Sequence, residues 1–283
     1  MANVYIAKGT TTLAGIANGD SVYFLEGDQT TTAGMNLSAL TTLVDIVFGP
    51  KFAGYVPDLQ FDSSGVVRYE ASGGAVGIIA DGTTTEIIAK VEHVGHGRLT
   101  AKTAGTITEW QQASGDGVIQ DSVTVTNIRL AGGTCKQYYK ATANTGWTIS
   151  GGSLYTGRGF SGTADISGGL VVVRREDSSA TVPTGATLNI SGPATVKWSG
   201  GNITALNLLH PLARVDFTEI VSAITITNMT GFANAIYKAG LPTAASGTAT
   251  MKSGFVLTLT NAATQYIGKS SQYALGAGDG SHD

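Results

Sequence analysis

One short phrase recurs in residues 147–201 and constrains the fold more than any other feature of the chain. It reads Thr148-Ile149-Ser150-Gly151-Gly152, then Asp165-Ile166-Ser167-Gly168-Gly169, then Asn189-Ile190-Ser191-Gly192-Pro193. The isoleucines are 17 and 24 positions apart, and a looser copy, Ile128-Arg129-Leu130-Ala131-Gly132-Gly133, stands just upstream. Recurrence at about 20 residues marks a solenoid, whose units are too small to bury an apolar face alone and do so by stacking on the next. The expected fold is all-β, a parallel β-helix or β-solenoid of short glycine-punctuated coils. In it Ile149, Ile166 and Ile190 share one stacked interior row.

Composition agrees with short strands and tight turns. Of 283 residues 39 are glycine, about twice the usual share, and glycine accepts positive φ without a Cβ clash. Hydrophobic residues make up 42 % and are spread along the chain, which argues against disorder. Charged residues are only 13 %, against a usual figure of about 25 %. The exterior must then be built of Thr, Ser, Asn and Gly. Such a face is hydrated but uncharged, and suits subunit packing and a repetitive lattice better than electrostatic steering.

The formal net charge is −3 with Lys and Arg scattered, so there is no basic footprint for nucleic acid. The adjacent pair Arg174-Arg175 is followed at once by Glu176-Asp177 and reads as a solvated turn. Cys135 stands alone, which excludes an internal disulfide framework and a cysteine-based zinc site. No run approaches the ~18 apolar residues of a membrane span. The opening, MANVYIAKGTTTLAGIANGD, lacks the basic start and long apolar core of a secretory signal, so the expected folding compartment is a cytoplasm.

Three regions follow from rhythm and composition: residues 1–57, an N-terminal β segment outside the coil rhythm; 58–240, the β-solenoid; and 241–283, C-terminal strands with a tail expected to be mobile from Gly276. In the first, strands are expected at Val4-Tyr5-Ile6, at Val22-Tyr23-Phe24-Leu25 after the Asn18-Gly19-Asp20 turn, and over residues 43–48 up to a stop at Gly49-Pro50. Met35 and Leu37 are the expected inward anchors of the Thr-rich stretch between them. In residues 118–130 alternation puts Val123, Val125 and Asn127 on one face and Thr124, Thr126 and Ile128 on the other. The one helical pattern is GFANAIYKA at 231–239, two turns ended by Gly240-Leu241-Pro242.

Tests for chemistry return little. His93 and His96 are three apart, a spacing that would start a metal site on a helix, but Gly95 and the strand pattern make this a surface turn with no third ligand at suitable spacing. His210 precedes Pro211 and reads as a corner; His282 lies in the tail. Glycosidases need two carboxylates about 5–9.5 Å apart. The nearby pairs are Glu176 with Asp177, Asp216 with Glu219, and Asp116 with Asp121, none framed by aromatic residues. Trp110, Trp147 and Trp198 read as core or corner fillers rather than sugar platforms. No Gly-x-Ser-x-Gly elbow appears, and Gly157-Arg158-Gly159 and Gly95-His96-Gly97 lack the Lys-Ser/Thr of a phosphate cradle. Asn36, Asn189, Asn202 and Asn228 fit the glycosylation triplet, which without an export signal is compositional. The expectation is therefore no enzyme, no catalytic residue, no metal and no cofactor.

The Ile-Ser-Gly-Gly phrases and the Asn18-Gly19-Asp20-Ser21-Val22-Tyr23-Phe24 opening, set in a glycine-rich β pattern with a Thr-rich exterior, resemble the β-helical structural proteins of tailed bacteriophages, most closely head decoration or cement proteins. That resemblance implies a homotrimer clamping the major capsid protein lattice on the virion surface, made in the host bacterial cytoplasm, with no nucleic-acid or membrane partner. Residues 1–57 are then the expected lattice contact. The alternative is a phage tail spike or fibre that binds, and in some cases cleaves, host surface glycans along the solenoid face. A bacterial surface or adhesin module is disfavoured by the missing export signal.

Overall fold

In a computed structural model the protein is a parallel β-solenoid. The structure describes residues 2–9, 15–27, 35–37, 45–61, 65–80, 87–102, 106–120, 123–138, 144–157, 160–174, 185–199, 201–217, 219, 226–231, 234–237, 247–251, 257–258 and 271–275. Among them there are strands and turns and no helix. The chain divides into two compact units, Met1–Thr142 and Ala143–Asp283.

The first unit holds β1 (Asn3–Tyr5), β2 (Ser21–Gly27), β3 (Met35–Leu37), β4 (Asp45–Phe52), β5 (Tyr55–Phe61), β6 (Val66–Tyr69), β7 (Ala75–Ala80), β8 (Ile87–His93), β9 (Arg98–Lys102), β10 (Thr106–Gln112), β11 (Asp116–Ile119), β12 (Thr124–Leu130) and β13 (Thr134–Gln137). Two parallel sheets result: sheet A runs β1-β2-β4-β6-β8-β10-β12 and sheet B runs β3-β5-β7-β9-β11-β13. Each coil is one strand of A, a glycine corner and one strand of B. Inward residues stack in register: Val22, Ile46, Val67, Val91, Trp110 and Ile128 form one row of sheet A. Phe24, Phe48, Tyr69, His93, Gln112 and Leu130 form the row beside the corners. Every residue of both rows is buried, and a fully buried Val, Ile, Leu or Phe side chain contributes about 1.5–3 kcal/mol.

The second unit holds β14 (Gly146–Ile149), β15 (Ser153–Thr156), β16 (Thr163–Ile166), β17 (Leu170–Val173), β18 (Ala186–Ile190), β19 (Thr195–Trp198), β20 (Ile203–Leu208), β21 (Arg214–Phe217), β22 (Ile226–Gly231), β23 (Asn234–Tyr237), β24 (Gly247–Met251), β25 (Leu257–Thr258) and β26 (Ser271–Leu275). Its strands pair in parallel except β24 with β26, which are antiparallel. Ile149, Ile166, Ile190 and Leu208 are register partners in turn, all buried, so the predicted interior row exists.

The recurring phrase is the A-to-B corner. Ile ends the sheet A strand pointing inward, the Ser amide donates to the isoleucine carbonyl one coil back (Ser167 to Ile149, 2.7 Å; Ser191 to Ile166, 2.8 Å), and the glycines turn the chain. Gly169 has φ +81°, and a Cβ there would lie 2.5 Å from the Gly152 carbonyl oxygen, so no other residue fits. In Ser191-Gly192-Pro193 that left-handed glycine is replaced by a corner one residue longer. Leu170 pairs with Thr195 across it, and the Ala194 amide closes a three-residue turn onto the Gly192 carbonyl at 2.8 Å. The unequal spacing of 17 and 24 comes from the opposite connections. Thr156 to Thr163 spans 7 positions, whereas its register equivalent, Val173 to Thr187, spans 14.

Three local expectations are overturned. Residues 231–239 do not make a helix: Gly231 ends β22 and Asn234–Tyr237 forms β23, paired residue for residue with β21. Two turns of helix are intrinsically marginal, and the edge of β21 supplies a ready ladder. The strand at 43–48 does not stop at Gly49-Pro50 but runs on to Phe52. Phe24 pairs with Phe48 and Glu26 with Lys51, so Gly49 and Pro50 together oppose one residue in a bulge that leaves no ladder bond for the missing proline N–H. Pro57-Asp58 does the same opposite Gly77. The composition change near 58 therefore falls inside β5, while the one near 240 lies outside the described residues. Finally, Ile128 does not share a face with Thr124 and Thr126. Thr126 and Asn127 both avoid the core, so Val125 and Ile128 are the inward pair, matched by Ile107 with Trp110 and Ile88 with Val91 on the neighbouring strands.

Candidate functional site

The residues singled out by their chemistry mostly serve the core or pair singly on the surface. His93 is fully buried between Tyr69 (ring centroids 5.2 Å) and Trp110 (6.5 Å), which corrects the surface-turn reading. Its Nε2 donates to the Gly97 carbonyl at 3.1 Å, and Nδ1 meets no hydrogen-bond partner among the described residues. Burial pushes the imidazole down to about 4. His96 is exposed on the corner, so the two rings do not converge. Among the described residues no group of three His, Cys, Asp or Glu could hold a metal ion. His210 accepts from the Leu212 amide at 3.1 Å and shapes a corner. Cys135 lies in an inward row of sheet B, where burial pushes its thiol up to about 12.

The carboxylates are held by separate cations. Asp116 pairs with Arg98 at 3.4 Å, Asp216 with Arg214 at 3.8 Å and Glu219 with Arg174 at 3.4 Å. Asp121, Arg175, Glu176, Asp177 and His282 lie outside the described residues, as do the side chains of Met35, Asn36, Leu37 and Asn228. The three tryptophans are buried: Trp110 Nε1 donates to Gln112 Oε1 at 3.1 Å, Trp198 Nε1 donates to the Gly201 carbonyl at 2.9 Å, and Trp147 stacks on Phe160 at 3.9 Å.

What the sequence reading did not find is a hollow of about 330 Å³ on the outer face of sheet B in the first unit, lined by Tyr55, Ala75, Val76, Gly77, Arg98, Thr100, Lys102, Val118, Gln120 and Tyr138. Register builds it. One outward row runs Tyr55, Ala75, Arg98 and a second Gly77, Thr100, Val118. The third runs Lys102, Gln120, Tyr138, extended beyond the strands by the Gln120 amide to the Ala101 carbonyl (3.0 Å) and the Tyr138 amide to the Ile119 carbonyl (2.9 Å). Ala75 and Gly77 leave the face dented where neighbouring strands carry full side chains. Tyr55 and Tyr138, 51 % and 47 % exposed, stand at its diagonal ends.

This lining combines two aromatic faces, two cations, a hydroxyl and an amide, a set for holding a polar ligand by stacking and hydrogen bonds. Sequence spacing hides it, because Tyr55 and Tyr138 lie on strands four steps apart in the stack. The one local signal is the pair of small residues at outward positions of AVGI in β7.

On the outer face of sheet A in the same unit, Glu92 takes Lys90 and Arg68, both at 2.7 Å, which holds its carboxyl below the usual range, and Arg129 pairs with Glu109. In the second unit the corresponding outer face carries an amide ladder: Asn189 Nδ2 donates to Asp165 Oδ1 and Asn207 Nδ2 to Asn189 Oδ1, both at 2.8 Å. Compared with protein-family models, curated proteins and solved structures, the chain matches none.

Proposed function

We propose that this protein is a non-enzymatic structural component of a phage virion: a decoration or cement protein that binds the outer surface of the capsid as a homotrimer and stabilises the major capsid protein lattice. The observation that carries the reading is the in-register stacking itself. Outward side chains stand in rows at one strand spacing, ~4.8 Å, on a backbone closely packed at its glycine corners, so the surface presents a regular polar pattern such as Asp165-Asn189-Asn207. A regular, hydrogen-bonded pattern loses little entropy on docking to a repeating partner. Residues 1–57 are the proposed lattice contact.

Particles stripped of the protein should rupture at lower temperature or internal pressure and recover when it is added back. Unchanged particle stability would sink the reading. A second reading, a tail spike or fibre that binds host surface glycans, is favoured by the hollow between Tyr55 and Tyr138. Copy number per particle separates the two, high for a decoration protein and low for a spike.

A further inference from the structure

We infer that the sheet B hollow of the first unit is a binding site for an acidic oligosaccharide, stacked on Tyr55 and Tyr138 with its carboxylates at Arg98 and Lys102. This rests on reading the hollow as a ligand site, and not on the decoration role.

Four observations converge on that ligand class. The tyrosines are about half exposed and stand at opposite ends of one depression. An amphipathic ring of this kind stacks on the C–H face of a sugar while its hydroxyl stays wet. The lining holds two cations and no acid; Asp116, the register partner of Arg98, pairs with it at 3.4 Å from outside the lining, and the Arg98 side chain remains 54 % exposed. A guanidinium has donors to spare for a second carboxylate, bidentate where geometry allows. Thr100 and Gln120, between the cations, supply the neutral donors and acceptors that hydroxyl groups need.

Length matters as well. β5 to β13 is four strand steps, about 19 Å at ~4.8 Å each, so the two tyrosines suit an oligomer rather than a single ring. The floor is formed by Gly77, opposite the bulge at Pro57-Asp58, and by Val118, which is almost fully buried. Single-stranded nucleic acid also combines stacking with cations, but it needs a basic track along the backbone. Here Arg68, Lys90 and Arg129 on the outer face of sheet A are engaged by Glu92 and Glu109, and the chain is net negative.

The test is calorimetric titration of the full chain with a panel of uronate- and sialate-containing oligosaccharides, each beside its carboxyl-reduced form, and with oligothymidylate. At least one acidic member should bind in the millimolar range or tighter, and carboxyl reduction should weaken it about tenfold. Tyr55→Ala and Tyr138→Ala should each weaken it about tenfold, and Arg98→Gln and Lys102→Gln about fivefold with a shallower salt dependence. All four side chains lie on the outer face, so unchanged thermal unfolding of the variants serves as the folding control. No binding by any acidic member, equal binding of reduced and acidic forms, indifference to the four substitutions, or tighter binding of oligothymidylate would each overturn the assignment. None of these outcomes alters the particle-stability experiment.

Discussion

The two units solve the same corner with different side chains. At the last inward position of sheet A, the second unit uses Ile149, Ile166 and Ile190, whereas the first uses Phe48, Tyr69, His93, Gln112 and Leu130. Corner length varies along the row. Five residues separate Tyr69 from Ala75 and four separate His93 from Arg98, but three separate Gln112 from Asp116 and Ile149 from Ser153. In the first unit three polar tips donate to a carbonyl of their own corner. Tyr69 Oη donates to the Gly73 carbonyl at 2.6 Å, His93 Nε2 to Gly97 and Gln112 Nε2 to Gly115 at 3.1 Å. Gly117 makes room for this row, because a Cβ there would meet Gln112 Oε1 and the Trp110 ring. Where the corner shrinks to Ser-Gly-Gly, the glycines do the turning and an isoleucine suffices. The Ser-Gly-Gly corners therefore depend on backbone space, and the corners after Tyr69, His93 and Gln112 add a side-chain hydrogen bond.

That contrast can be broken at its strongest point first. Gly169→Val forces a β-branched residue to φ +81° with its Cβ 2.5 Å from a backbone oxygen, and should cost about 4 kcal/mol or abolish folding. Gly9→Ala, at a similar φ of +78° but with open space around it, should cost only about 1 kcal/mol. Equal shifts of the two denaturation midpoints would mean that close packing at the corner is not what matters. Ile166→Ala, which opens a cavity in the aliphatic row between Ile149 and Ile190, should lose about 3 kcal/mol in denaturant melts. A loss under about 1 kcal/mol would deny that the row is packed.

The aromatic corner is broken by acid. His93 is held down to about 4 by burial, with the Gly97 carbonyl and Asp116 opposing that shift and Tyr69 and Trp110 packed against the ring; the unfolded imidazole titrates near about 6.5. The unfolded chain thus takes up the proton first. Stability is full above pH 6.5, falls as pH drops towards 4, and levels below it, by on the order of 3 kcal/mol at most. His93→Ile, which brings in the second unit's residue, should remove this part of the pH profile. An unaltered slope between pH 6.5 and 4 would show that another group carries it. The smallest effect is expected on the amide ladder, where Asn189→Ala removes two solvent-accessible hydrogen bonds and should cost no more than about 1 kcal/mol.

Much of this fold was legible because a solenoid writes its geometry locally. Ile followed by Ser-Gly-Gly states an inward side chain and a tight turn within five residues, and stacking copies is then the one way to bury the isoleucines. Legibility failed wherever the partner strand decided the outcome. Gly231 and its successors carry a helical pattern that the β21 edge overrides, and Pro50 stays in a strand because a bulge removes the need for its N–H. His93 looked like a surface residue because its corner reads as a turn, although it sits one position before that turn.

By itself, the chain's sequence determined that it is all-β, that its coils turn on glycine and that the row containing Ile149, Ile166 and Ile190 points inward. These are consequences of side-chain period and Cβ sterics, which act within a few residues. Tertiary structure alone decided that Tyr55, Arg98, Lys102 and Tyr138 surround one hollow. Their neighbourhood depends on the register of five stacked strands, and register is set by how many residues each bulge, corner and connection takes up. That count leaves no mark on the periodicity of any single strand.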